Sequence, residues 1–181
     1  MGNCFKNNAS YDVVTGKIQR SDPAAAARFA REVADTGETH PDYDKLNKVV
    51  CWNAVLACAE EHGGLRKGSI AVTAKSWDDF VHMNDDYQIR TAADMHQVPE
   101  GSFIGFFDTN YPPNILIMHA MMATGNGMAC GNKNSCLGIG RHGGWEMLNL
   151  GADEHWVDGS WCIIDSKGSF RNLKVYYRSD W

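Results

Sequence analysis

Residues 49–64, VVCWNAVLACAEEHGG, read as a helix with a cysteine at its mouth and glycines at its end. The helix is expected to begin between Asn47 and Cys51 and to stop at His62-Gly63-Gly64, since glycine takes the left-handed conformation that closes a helix. Val55, Leu56 and Cys58 recur around Cys51 at helical spacing. At 68 positions beyond Cys51, the apolar run NILIMHAMMA (114–123) reads as a strand that carries one histidine, His119. Gly125-Asn126-Gly127 then signals a hairpin into a short strand around Met128–Cys130. A helix-borne cysteine and a strand-borne histidine therefore frame the chain.

Working outward, residues 1–21 show no periodic pattern and predict a loose lead-in. Asp22-Pro23 ahead of AAAARFAREVAD predicts a capped helix ending before Gly37, with ETHPDYD (38–44) as a connector. Residues 68–74 suggest a short strand or turn, and Ser76-Trp77-Asp78-Asp79 a capping box for a helix toward Met83. GSFIGFFD (101–108), WCIID (161–165) and LKVYY (173–177) are further strands. Helices come first and strands later, which predicts one α+β domain over 1–181, its N-terminal helices packed on a C-terminal antiparallel sheet.

Composition narrows the function. The net charge of −5 and the lack of any Lys/Arg run argue against a nucleic-acid partner. The six cysteines lack the dense spacing of a disulfide scaffold, so reduced thiols and a cytoplasmic setting, the producer's own or a host cytosol, are expected. No apolar run reaches the ~18 residues of a transmembrane helix, and no secretory signal pattern opens the chain. Gly2 and Cys4 in MGNCFK could accept two acyl chains, the number that holds a protein on a membrane, but Lys6 stands where the motif has Ser or Thr. Membrane association is expected only if Gly2 and Cys4 are acylated.

The chemistry follows from ionisation. A thiol near its usual pKa of ~8.5 is mostly protonated at neutral pH, whereas the thiolate attacks. A cysteine in the first turn of a helix feels the positive helix end, and an imidazolium beside it adds to that effect. Backbone amides at the helix start can hold the oxyanion formed at an attacked carbonyl.

These residues resemble a family. Cys51-Trp52, then His119-Ala120, Gly125 and Gly127, then Asn134-Ser135, is similar to the Cys-Trp and His-Ala…Gly-x-Gly…Asn-Ser blocks of papain-like cysteine hydrolases. The resemblance covers roughly residues 47–140. It implies a papain-like fold, with Cys51 as nucleophile, His119 as proton shuttle and Asn134 orienting the ring. It also resembles compact bacterial effector deamidases of the TecA type, which act on Rho-family GTPases, and in that alignment Asp165 is the alternative third member. That likeness implies a toxin-like effector acting on a Gln or Asn side chain of a host protein, such as a small GTPase, without a cofactor. No glutamine stands a few residues before Cys51 as oxyanion donor, so Asn47 or the Cys51 backbone would take that place.

Other readings stand beside this one. The same three residues would serve a peptidase or a peptidoglycan amidase, and the thioester step an acyltransferase or transglutaminase. A non-enzymatic binding module would keep its activity without Cys51. Cys58 and Cys162 are expected as small core residues. Asn132 and Asn134 suit a turn, and Trp145, Trp156 and Trp161 suit packing as well as a substrate groove. Cys130, Cys136, His142 and His119 could offer metal ligands, but they lack the close Cys-x-x-Cys pair of structural zinc sites, and no metal is expected. The acidic residues Asp78, Asp79, Asp85 and Asp86 are expected on a solvated face.

Overall fold

The computed structural model describes residues 9–11, 18–66, 85–108, 117–138, 142–152, 154–164, 168–179 and 181. Gly2, Cys4, the segments expected at 68–74 and 76–83, residues 114–116 of the histidine strand, and Asp165 lie outside the described residues.

Helix α1 (Pro23–Thr36) forms as its sequence requires. Asp22 accepts from the Ala25 amide at 3.0 Å, proline opens the first turn, and Gly37 closes the helix at φ 66°. Its alanines lie against the sheet, with Ala26, Ala27 and Ala30 fully buried. A short helix α2 (Tyr43–Lys48) follows, and then α3 (Cys51–Glu61). The expected connector thus ends in a helical turn, and α2 and α3 are separate because Val49 and Val50 are extended. Helix α3 buries Ala54, Val55, Cys58 and Ala59, while Leu56 is half-buried at the edge of that face.

Strands β1 (Ala9–Tyr11) and β2 (Ile18–Arg20), which fall within the expected lead-in, pair antiparallel. Each is three residues long, too short to show alternation. Among the described residues the main sheet has eight strands: β3 (Gln88–Ile89), β4 (Phe103–Asp108), β5 (Ile117–Gly125), β6 (Met128–Gly131), β7 (Glu146–Asn149), β8 (Trp156–Val157), β9 (Ser160–Ile164) and β10 (Phe170–Arg178). Its order is β7-β6-β5-β4-β10-β9-β8, with β3 added on β10, and every pairing is antiparallel. A single-turn helix α4 (Ala92–Met95) precedes β4 and is closed by a Thr91–Asp94 capping box. Asn126 and Gly127, both at positive φ, make the tight β5–β6 turn.

Two apolar layers hold this α+β arrangement. Phe103, Phe107, Ala120, Met122, Cys130 and Tyr176 face the helices. On the other side of the sheet Ile104, Phe106, Met121, Trp161, Leu173 and Val175 form a second core. The sheet curls onto itself there: Trp161 of β9 donates its indole N–H to the Leu137 carbonyl just beyond β6, at 3.3 Å. Trp181 packs edge-on to Phe103 and donates to the Gly101 carbonyl at 3.0 Å. Among the described residues no helix is long and apolar enough to cross a membrane.

Candidate active site

Cys51 is the first residue of α3 and half-buried. Val50 before it is extended and supplies no side-chain cap, so no capping side chain covers the amides of the first turn. A helix start left open in this way carries partial positive charge toward the Cys51 sulfur.

His119 lies on β5 immediately after a bulge. Phe106 pairs with His119 but Phe107 pairs with Ile117, so Met118 is the extra residue. Bulges re-aim neighbouring side chains and bend the strand, which is why one is informative beside a candidate catalytic group. Beyond it the strand alternates, with Ala120 and Met122 toward the helices and Met121 and Ala123 toward the second core. The ring of His119 is fully buried and 5.8 Å from that of Phe106.

Asn134 occupies the start of a 3-10 turn, Asn134–Leu137, after Lys133 has taken a left-handed conformation at φ 61°. Its Oδ1 is 2.9 Å from His119 Nε2. Its Nδ2 donates to the Gly131 carbonyl at 2.9 Å and to Glu146 Oε1 at 3.1 Å. Those two oxygens can only accept, so they dictate which way the amide faces. Oδ1 must then accept from His119, which places the ring proton on Nε2. Nδ1 is left as the basic nitrogen, and it is buried with no hydrogen-bond partner among the described residues. Burial is the main influence on this ring and lowers its pKa to about 4, against a smaller upward effect from Asn134. A lone imidazolium is thus disfavoured here, and a neighbouring anion is what would restore it.

The turn that orients His119 also adjoins Cys51. Cys136 is pushed up to about 12, first by burial and next by the charge of Cys51. Two residues before Asn134, Asn132 is fully buried and reaches back to the helices. Its Nδ2 donates to the carbonyls of Leu46 at 2.7 Å and Val49 at 2.8 Å, with a longer contact of 3.5 Å to that of Asn47. Lys133 Nζ adds a bond to the Asn47 carbonyl at 3.2 Å. One segment, 131–136, therefore anchors the approach to Cys51 and holds the His119 ring. No hydrogen bond joins Cys51 to His119 among the described residues. Asn47, the expected oxyanion donor, is at the end of α2, where its backbone carbonyl is the group engaged.

The remaining thiols divide by environment. Cys58 is buried in the helix-side core, as expected, and burial raises its pKa strongly. Cys130 joins the same core, and burial lifts it to about 12. Cys162 corrects the expectation of a core residue: it is only partly covered and donates to Asn172 Oδ1 at 3.2 Å. The reason is strand alternation, since Trp161 and Ile163 take the inward positions of β9. Cys162 lines an apolar groove of about 230 Å³ with Val157, Ile164 and Phe170, which shares no residue with the Cys51 region. The three tryptophans are packing residues, each with its indole N–H on a carbonyl: Trp145 to Ala30, Trp156 to Leu150 and Trp161 to Leu137. No three metal-ligating side chains converge among the described residues.

Glu146 was not foreseen. Its carboxylate meets Asn134 where the Gly143 and His142 carbonyls accept from the Lys133 and Ser135 amides, and no spacing in the sequence announces it. Comparison with protein-family models, curated proteins and solved structures finds no match to this chain.

Proposed function

We propose that this chain is a papain-like cysteine amidohydrolase in which Cys51 is the nucleophile, His119 the proton shuttle and Asn134 the orienting residue. The observation that carries the reading is the 2.9 Å bond between His119 Nε2 and Asn134 Oδ1, which leaves the basic Nδ1 free within a buried site. Support also comes from the uncapped start of α3 at Cys51 and from the bulge beside His119.

In the reaction Nδ1 takes the Cys51 proton, and the thiolate adds to a carboxamide carbon. The oxyanion is held by amides at the start of α3. The imidazolium then protonates the departing nitrogen, ammonia leaves, and a thioester remains on Cys51. Water, deprotonated by His119, adds to the thioester and releases a carboxylate and the thiolate.

For the substrate we take a glutamine or asparagine side chain of a host protein, with a Rho-family GTPase as the type of target. The likeness of the order Cys51, His119 and Asp165 to TecA-type effector deamidases carries that choice. The test is intact-mass spectrometry of purified small GTPases after incubation with the protein, with ammonia release measured in parallel. Conversion of one amide to a carboxylate, lost in Cys51→Ala with folding preserved, is the expected result. New amino termini in place of ammonia would identify a peptidase. Unchanged cellular activity in Cys51→Ala would point to a binding module.

A further inference from the structure

The partners of Asn134 carry the site one residue further. Glu146 is the first residue of β7 and partly buried. One of its oxygens, Oε1, accepts both from Asn134 Nδ2 at 3.1 Å and from the His142 backbone amide at 3.2 Å. We infer that Glu146 is a positioning residue, which locks the Asn134 amide and, through it, favours the protonated His119 ring beside an ionised Cys51.

Two physical effects act in the same direction. The first is geometric. Both hydrogens of Nδ2 are engaged, by the Gly131 carbonyl and by Glu146, so rotation of the amide would set Oδ1 against two acceptors. The second is electrostatic. A carboxylate that accepts from Nδ2 polarises the amide and makes Oδ1 a stronger acceptor for the His119 N–H. That favours the charged ring in a site where burial opposes it. Among the described residues, the titratable groups around this chain of contacts include Cys136 in the 3-10 turn, which feels Cys51 from α3, and Lys133 and His142 flanking it. Lys133 is engaged with the Asn47 carbonyl. His142 meets Glu146 through its backbone amide. Glu146 is therefore the carboxylate that the hydrogen bonds connect to the ring.

The inference rests on the pairing of Cys51 with His119, and the test separates the two. Alkylation of Cys51 by a neutral reagent is followed against pH, by peptide mass mapping, in the wild-type protein and in Glu146→Gln, Glu146→Ala, Asn134→Ala and His119→Ala. In the wild type, labelling of Cys51 should persist on the acid side, where an isolated thiol is inert. Glu146→Gln keeps an acceptor but removes the charge, and it should lower acid-side labelling about tenfold, the equivalent of about one pKa unit. Glu146→Ala should lower it further. Adding Glu146→Gln to Asn134→Ala should change nothing more, because the influence passes through that amide. If Glu146→Gln, the nearly isosteric change, keeps the wild-type profile in a folded protein, the role of Glu146 is wrong although the pairing stands. An additional effect of Glu146→Gln in the Asn134→Ala background would also overturn the inference, since the charge would then act by another route. If the wild type itself labels as an ordinary thiol and His119→Ala makes no difference, the pairing has failed and the inference with it.

Discussion

Replacing Asn132 tests whether the 131–136 segment fixes the approach to Cys51 or is merely a turn. Its Nδ2 bonds to the Leu46 and Val49 carbonyls are 2.7 and 2.8 Å, and the residue is fully buried. In Asn132→Ala both carbonyls lose that donor, at about 1–3 kcal/mol for each that stays dry. The Asn132 Oδ1, however, is itself buried without a partner, and deleting it returns a similar amount, about 1–3 kcal/mol. The net expectation is a loss of about 1–3 kcal/mol. Asn132→Asp is the sharper change. It keeps the shape but turns a donor into an anion facing carbonyl oxygens, and should cost about 3–5 kcal/mol, as breaking a buried charge pair does. Residues 46–50 lead directly into Cys51, so both variants should also lose turnover in excess of their loss of stability. A displacement of about 1 Å at a nucleophile costs on the order of 100-fold. Urea unfolding supplies the stability, with an unchanged slope as the sign that the transition is comparable. Turnover is measured well below the unfolding midpoint. The reasoning is refuted if Asn132→Ala lies within about 0.5 kcal/mol of the wild type, the range of an ordinary surface change, with turnover unaltered. It is equally refuted if Asn132→Asp is no worse than Asn132→Ala.

Other outcomes follow from the same contacts. Asn134→Ala removes the His119 partner and the bond to Gly131, and should destabilise the fold by about 1–3 kcal/mol while cutting turnover at least about 100-fold; calorimetry beside a kinetic assay checks both. In Cys51→Ala the His119 ring loses its candidate counter-ion, and its pKa of about 4 lies below the ordinary 6.5. The unfolded chain then takes up a proton that the folded one refuses, so stability is full above about pH 6.5 and falls toward pH 4, by on the order of 3 kcal/mol. Cys51→Ala/His119→Gln should show none of that fall in parallel urea titrations. Trp181→Ala removes a buried indole that packs on Phe103 and donates to the Gly101 carbonyl, and should cost about 3–5 kcal/mol in chemical denaturation.

How far the fold was readable depended on the range of the interactions involved. Helix α1 was legible because Asp22, Pro23 and Gly37 are local signals that the backbone obeys, β4, β5, β9 and β10 because their apolar runs are long enough to show, and the short β6 because the Gly125-Asn126-Gly127 turn announces it. Strands β3, β7 and β8, with two to four residues each, leave no periodic trace. The His119–Asn134 pairing was anticipated through the resemblance of the His-Ala…Gly-x-Gly…Asn-Ser block to papain-like cysteine hydrolases. The role of Asn132 could not, since turn chemistry accounts for an asparagine there equally well, and its partners Leu46 and Val49 are 86 and 83 residues away. Glu146 was hidden for a related reason: its contact exists only once His142 and Gly143 have met the 3-10 turn, through their carbonyls on the Ser135 and Lys133 amides. Cys162 misled because a cysteine in an apolar strand says nothing about which face it occupies.

The most direct measurement is the thiolate absorbance of Cys51, taken as wild type minus Cys51→Ala, titrated between about pH 4 and pH 10. A sulfur paired with His119 should already be ionised on the acid side of neutrality, and His119→Ala should move that ionisation toward the ordinary thiol range. A wild-type titration in that ordinary range, indifferent to His119→Ala, would contradict the account.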